Sequence, residues 1–415
     1  MTFEELNISP QLLKALAKIG FSEPTEIQEK CIPPLLNTKD VVGRSMTGSG
    51  KTFAFGIPAV ELINQQLNEV QVLILSPTRE LAVQITEELR KLTSFSHSVG
   101  IAAVYGGSGM AKQIMNIKKS KIVVGTPGRI IDHLHRKTLK LNFVSLVVLD
   151  EADEMLDMGF RHDIETILKN VPHKRTTAMF SATMPVAIKS LMSTYMNQPI
   201  FIESSKVSTT QEEIDETYVR SVAGGKKQAL LELIDKIKPQ SAIVFCNTRQ
   251  MVDAVSRFLT AHKIDAQAIH GERSQSERKK TMGLMKTHKL NILVATDVAA
   301  RGIDIQNVEY IINFDIPNDA ESYTHRIGRT GRAGQKGISI SMVDNADKLN
   351  ALLAIGFSRK TNIHEHELST SLSTFSDIVA IKSSPKSAVF GSAAYNKKGK
   401  GFIPFTKMGS RHRTR

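Results

Sequence analysis

Eight residues, Ser45-Met46-Thr47-Gly48-Ser49-Gly50-Lys51-Thr52, have the composition of a loop that wraps phosphate. A β-branched run, 40–43, precedes them and an apolar stretch, 53–57, follows. That order reads as strand, glycine-rich turn and helix start, with backbone N–H groups and a helix dipole converging on one spot. Lys51 would reach the β- and γ-phosphates, and the Thr52 hydroxyl would hold Mg²⁺. Ser45 stands where the usual pattern opens with Gly or Ala. Ninety-nine residues after Lys51, Asp150-Glu151 closes another apolar run. An Asp there can hold Mg²⁺, and the adjacent Glu can take a proton from water. Two acids at a strand end also suit a helix cap. The phosphate loop in the same half favours the chemical reading. Farther on, His325-Arg326-Ile327-Gly328-Arg329-Thr330-Gly331-Arg332 places three arginines and a histidine within eight residues. Such a run suits a γ-phosphate clamp, and equally a basic loop or an arginine paired with Asp315 or Asp304.

The positioning elements alternate. Apolar runs at 71–76, 99–104, 121–124, 146–149 and 177–180 each end in polar residues, with helical periodicity between them. Alternation of this kind predicts right-handed βαβ units, a parallel sheet, and ligands at the C-terminal strand ends. Residues 204–210 are polar and read as part of a linker. The alternation restarts with runs at 242–246, 266–269, 292–295 and 310–314, and 337–343 reads as the last strand. The second half lacks a glycine-rich phosphate loop, so two similar lobes share one nucleotide site. Upstream, 3–36 has helical spacing and contains Gln28, whose amide matches the donor–acceptor edge of adenine. Without context, Gln28 would be a solvated helix residue.

A chain of 415 residues exceeds one ordinary core. The net charge of +13 is uneven: 382–415 holds nine Lys/Arg and no acid, leaving only +4 for the rest. Such an end is attracted to polyanions, and its Ser, Lys and Gly content predicts disorder. Tyr395, Phe402 and Phe405 among its cations suit base stacking, which favours a nucleic-acid tether over a merely solvated, solubilising end. Cys31 and Cys246 are far apart in apolar settings, as expected of buried thiols in a reducing compartment. Neither a signal peptide nor a membrane-spanning run is evident in the sequence.

Taken together, these motifs resemble the DEAD-box ATP-dependent RNA helicases, of the compact bacterial type, from Phe3 to about Val343. Phe3 matches the isolated upstream aromatic, and Gly20-Phe21 through Gln28 the adenine-reading motif. Pro77-Thr78-Arg79-Glu80-Leu81, Gly106-Gly107 and Thr126-Pro127-Gly128-Arg129 match RNA-contacting motifs, Asp150 to Asp153 the family's name, and Ser181-Ala182-Thr183 the coupling motif. In the second half, 244–248, His270-Gly271 with Gln275 and Arg278, 295–297 with 300–304, and 325–332 complete the set. Met46 departs from the family's frequent Gln.

The resemblance implies an α/β fold of two tandem RecA-like parallel-sheet domains, 1–204 and 213–362, a linker at 205–212, and a basic, largely disordered tail at 363–415. ATP and Mg²⁺ are the implied substrate and cofactor. Phe21, Thr25, Gln28, Thr47, Gly48, Ser49, Gly50, Lys51, Thr52 and Asp304 would bind nucleotide, with Thr52 and Asp150 on the metal. Lys51, Asp150, Glu151, Arg329 and Arg332 would carry hydrolysis, and Ser181, Thr183 and His325 would couple it to unwinding. RNA would be held by its backbone, without sequence readout, through Arg79, Gly107, Thr126, Arg129, Arg278 and Thr296. A cytoplasmic monomer acting on rRNA or mRNA–protein complexes is the further expectation. An ATP-gated RNA clamp is the alternative, and a DNA translocase fits the motifs less well.

Overall fold

The computed structural model describes residues 2–45, 49–95, 99–203, 214–300, 308–331 and 336–366, except the side chains of Gln275 and Lys279. Thr47, Gly48, Asp304, Arg332, the linker 205–212 and the tail from 367 onward lie outside the described residues. Both sheets belong to one compact unit, Met1–Ile378.

The first sheet comprises β1 (Val41–Arg44), β2 (Val72–Leu75), β3 (Ile101–Val104), β4 (Ile122–Gly125), β5 (Leu146–Leu149), β6 (Thr176–Ser181) and β7 (Ile200–Glu203). Their order is β3-β4-β2-β5-β6-β1-β7, and every pairing is parallel. Val72, Ile74, Leu146 and Val148 enter one core, while Leu73, Leu75, Val147 and Leu149 enter the other. Helices cover both faces, which is why these strands read as unbroken apolar runs.

The second sheet repeats the plan with β8 (Ile214–Arg220), β9 (Ala242–Phe245), β10 (Ala266–Ile269), β11 (Ile292–Ala295), β12 (Tyr310–Asn313), β13 (Gly337–Val343) and β14 (His364–Glu365). Its order, β10-β11-β9-β12-β13-β8-β14, is the order of the first sheet shifted by seven strands. The tandem α/β expectation therefore holds.

Three strands escaped the sequence reading. In β7, Ile200 and Phe201 are exposed, so no buried run marks it. The acidic start of β8, Ile-Asp-Glu, resembles the polar segment before it. Residues 337–343 are not the last strand, because His364 and Glu365 of β14 pair with Thr217 and Tyr218 of β8. Two residues are too few to display alternation, and backbone pairing alone defines this strand. It draws on sequence beyond residue 362.

Candidate nucleotide and RNA site

Strand order places the chemistry. In the first sheet β5, β6 and β1 are neighbours, so Asp150, Ser181 and the loop after Ser45 emerge side by side. Ser45 N donates 3.2 Å to the Ser181 carbonyl, extending that pairing into the loop. Gly43 permits the close pairing: a Cβ there would lie 2.6 Å from the Phe180 ring.

The upstream motif lies against the phosphate loop. Thr25 Oγ1 donates 2.9 Å to the Ser49 carbonyl, and Gln28 Nε2 donates 3.0 Å to the Gly50 carbonyl. Gln28 Oε1 accepts from Thr25 N at 3.0 Å, closing a capping box at the start of helix Glu26–Leu36. Gln28 is 0% exposed, which overturns its reading as a solvated helix residue. Carbonyl and N–H point oppositely across a trans peptide. With these two carbonyls held by Thr25 and Gln28, the N–H groups of Gly50 and Lys51 face away from them. Gly50 has φ 94°, and a Cβ there would lie 2.5 Å from Gln28 Nε2 and 2.8 Å from Thr25 Oγ1. Only glycine suits both constraints. Lys51 is buried and opens helix Lys51–Glu61, followed by Thr52. Phe21 packs on Phe53, ring centroids 4.8 Å apart.

Asp150 N donates 2.9 Å to the Leu75 carbonyl, and Asp150 Oδ1 accepts from Glu151 N at 3.1 Å. Glu151 has φ 50°, a left-handed conformation uncommon outside glycine, at the head of helix Ala152–Asp157. Burial pushes its carboxyl up to about 7; Lys51 opposes the rise, Asp150 adds to it, and Arg329 opposes it from the second lobe. Burial also raises Asp150, again against Lys51. The buried Ser45 and Ser49 hydroxyls have no hydrogen-bond partner among the described residues. Orphaned hydroxyls, a buried lysine and two carboxylates form a donor set for a polyanion with a hard divalent cation, and Thr52 and Asp150 supply oxygen ligands of the right type.

Asp153, overlooked as a separate actor in the sequence, ties the acidic motif to the coupling motif. Its Oδ2 accepts from Ala182 N at 3.0 Å and Thr183 N at 2.8 Å. Ser181 Oγ donates 2.7 Å to the Thr183 carbonyl.

The basic run divides by role. Helix Ala320–Ile327 is capped by Asp319, whose Oδ1 accepts from Ser322 N at 2.7 Å. His325 Nδ1 lies 2.5 Å from Glu154 Oε1 in the first lobe. Arg326 is 1% exposed and donates to both Asp297 oxygens at 2.6 and 2.8 Å, to the Asp315 carbonyl at 2.6 Å and to Asn247 Oδ1 at 2.8 Å. It is the structural arginine of the run, a role the sequence left open with Asp315 as one partner.

The proposed RNA contacts gather on the other half of the same edge, after β2, β3 and β4. The Arg79 guanidinium lies over Gly106-Gly107, with Nη1 2.6 Å from where a Gly107 Cβ would sit, and Gly107 has φ 80°. Thr126 heads helix Pro127–His135, and Arg129 Nη1 donates 3.2 Å to the Ser108 carbonyl. In the second lobe, Thr296 Oγ1 accepts from Ala299 N at 3.4 Å. Arg278 is buried, 3.1 Å from Glu80 Oε1 of the first lobe, because a buried cation needs a counter-charge. It is therefore held between the lobes rather than displayed.

Among the described residues Cys31 and Cys246 are free and buried, and burial pushes the Cys31 thiol up to about 12. No described helix is long and apolar enough to cross a membrane.

Comparison with known proteins gives this arrangement a family. The DEAD/DEAH box helicase pattern matches residues 25–191, and the helicase conserved C-terminal domain matches 225–334. The ATP-dependent RNA helicase CshA of Listeria monocytogenes is 49% identical over 82% of this chain and 66% of its own length. The DEAD-box ATP-dependent RNA helicase CshA of Geobacillus kaustophilus is 47% identical over 82% of this chain and 73% of its own. S. cerevisiae Dbp5 bound to RNA and ADP BeF3 superposes with a TM-score of 0.79 at 29% identity, covering 88% of this chain and 95% of that one. Two parallel sheets with phosphate, acidic and arginine motifs on facing edges, and these similarities along most of the chain, establish that the protein belongs to the DEAD-box family of ATP-dependent RNA helicases.

Proposed function

We propose that RNA draws the two lobes together to complete an ATP site, and that hydrolysis is coupled to local separation of RNA duplexes or remodelling of rRNA or mRNA–protein complexes. The observation that carries this reading is the pair of contacts between the lobes, Thr183 Oγ1 to Glu321 Oε1 at 2.7 Å and Arg278 to Glu80 Oε1 at 3.1 Å. The lobes would be 1–204 and 213–362, the second extended by β14, joined by 205–212.

In this reading Phe21, Thr25 and Gln28 face the adenine side, Gln28 and Thr25 also bracing the loop. Thr47, Gly48, Ser49, Gly50, Lys51 and Thr52 surround the phosphates, and Asp304 reaches the ribose. Mg²⁺ would be held by Thr52 and Asp150, and when bound it would neutralise phosphate charge. Glu151 takes the proton of the attacking water. Arg329 and Arg332 stabilise charge on the transferred phosphoryl group. Ser181, Thr183 and His325 pass the state of the site between lobes. Arg79, Gly107, Thr126, Arg129, Arg278 and Thr296 hold the RNA backbone, with Arg278 exchanging Glu80 for phosphate. The protein acts as a cytoplasmic monomer.

The test is paired. Full-length protein should hydrolyse ATP faster with RNA than with DNA and should displace one strand of a short RNA duplex. RNA-stimulated hydrolysis without displacement would establish the clamp instead. Equal stimulation by DNA would point to a DNA translocase.

The tail has a separate test. Deleting 383–415 is expected to weaken RNA binding and flatten its salt dependence. Each lost phosphate contact should remove about 0.7 from the log–log slope. An unaltered slope would mean that the tail leaves phosphates untouched.

A further inference from the structure

Thr183 has one hydroxyl proton and two carboxylates within reach of it. Its Oγ1 lies 2.9 Å from Asp153 Oδ2 in its own lobe and 2.7 Å from Glu321 Oε1 in the other. Asp153 does not depend on that proton: its Oδ2 receives the N–H groups of Ala182 and Thr183, and its Oδ1 that of Glu154. Glu321 sits in the first turn of helix Ala320–Ile327, four residues before His325. Side chains four apart share a helix face. That face therefore meets the first lobe twice, through Glu321 on Thr183 and His325 on Glu154. Ligand atoms of Asp153, Glu321 and His325 all lie within 4.8 Å of one another. Two contacts one turn apart fix both the height and the rotation of the helix, and Arg329 lies two residues beyond its end.

We propose that Glu321 is a positioning residue for hydrolysis. In the closed protein it accepts the Thr183 proton. When the lobes part, the hydroxyl turns back to Asp153 Oδ2. The change of acceptor keeps the Thr183 hydroxyl paired in both states and registers the helix that aims Arg329. Glu321 touches neither nucleotide nor RNA in this role. The proposal rests on the closure reading above.

The experiment compares Glu321→Ala and Glu321→Gln, each with and without Thr183→Val, in full-length protein. The readouts are RNA-stimulated kcat and KM for ATP. A hydrogen bond to a charged group is worth about ten- to hundredfold. Glu321→Ala should lower kcat by that factor with KM for ATP unchanged. Glu321→Gln keeps an acceptor oxygen without the charge and should recover about half the loss on a logarithmic scale. In the Thr183→Val background, Glu321→Ala should cost nothing more. Equal costs in both backgrounds, a Gln variant as impaired as Ala, or an unaffected kcat would overturn the proposal while RNA still stimulates the wild type. A wild type that RNA fails to stimulate would overturn the closure reading as well.

Discussion

Glu151→Gln is expected to lower RNA-stimulated ATP turnover by about 10²–10⁴ while binding of ATP and RNA persists, because the variant keeps the shape and loses the base. The pH profile gives a second readout. A general base must be ionised, so wild-type kcat/KM should rise with pH through the region near 7 where burial has placed this carboxyl, then level off. The variant should lack that limb. Stability should move the other way. An ordinary Glu ionises near 4.5, so between about 4.5 and 7 the folded chain holds a proton that the unfolded chain has released. Stability from this group therefore falls as pH rises across that window. At pH 8 Glu151→Gln should be more stable than wild type, by on the order of 1–3 kcal/mol, and the gap should shrink at pH 5. Unchanged turnover would remove Glu151 from the mechanism. A melting temperature no higher than wild type at pH 8 would show that its burial carries no ionisation penalty.

Arg329→Ala should reduce turnover by about 10³–10⁵, with little change in KM for ATP, if the guanidinium acts on charge that develops only during phosphoryl transfer. Arg329→Lys should rescue little, since an ammonium lacks the planar fork. Arg329 also holds the Glu151 carboxyl down, so its removal should shift any residual pH limb upward. Equal losses in kcat and ATP affinity would mark a structural arginine instead. That second outcome is the one expected of Arg326, whose buried guanidinium joins Asp297, Asn247 and the Asp315 carbonyl. Steady-state kinetics on both variants, with thermal unfolding as the control, separates the two roles.

Much of the protein was determined locally. Strands β2, β4, β5, β9 and β11 are four-residue apolar runs buried on both faces, and nothing but a covered parallel sheet accommodates them in series. The glycine-rich loop and the Asp150-Glu151 pair were legible for the same reason, since their chemistry resides in adjacent residues. Strand order was not local. Parallel neighbours are joined through helices, so the insertion of β6 between β5 and β1, which brings Ser181 and Asp153 to the nucleotide edge, depends on contacts far apart in sequence. The three arginines of 325–332 look alike in the chain. Tertiary structure alone buries Arg326 among acceptors and brings the charge of Arg329 to bear on the Glu151 carboxyl. Gln28 became a brace for Gly50 because the loop folds onto it, and Arg278 met Glu80 because the lobes approach. Side-chain type and spacing decide what chemistry is available. Which polar groups meet is decided by burial, since each one withdrawn from water must find a partner wherever the fold places it.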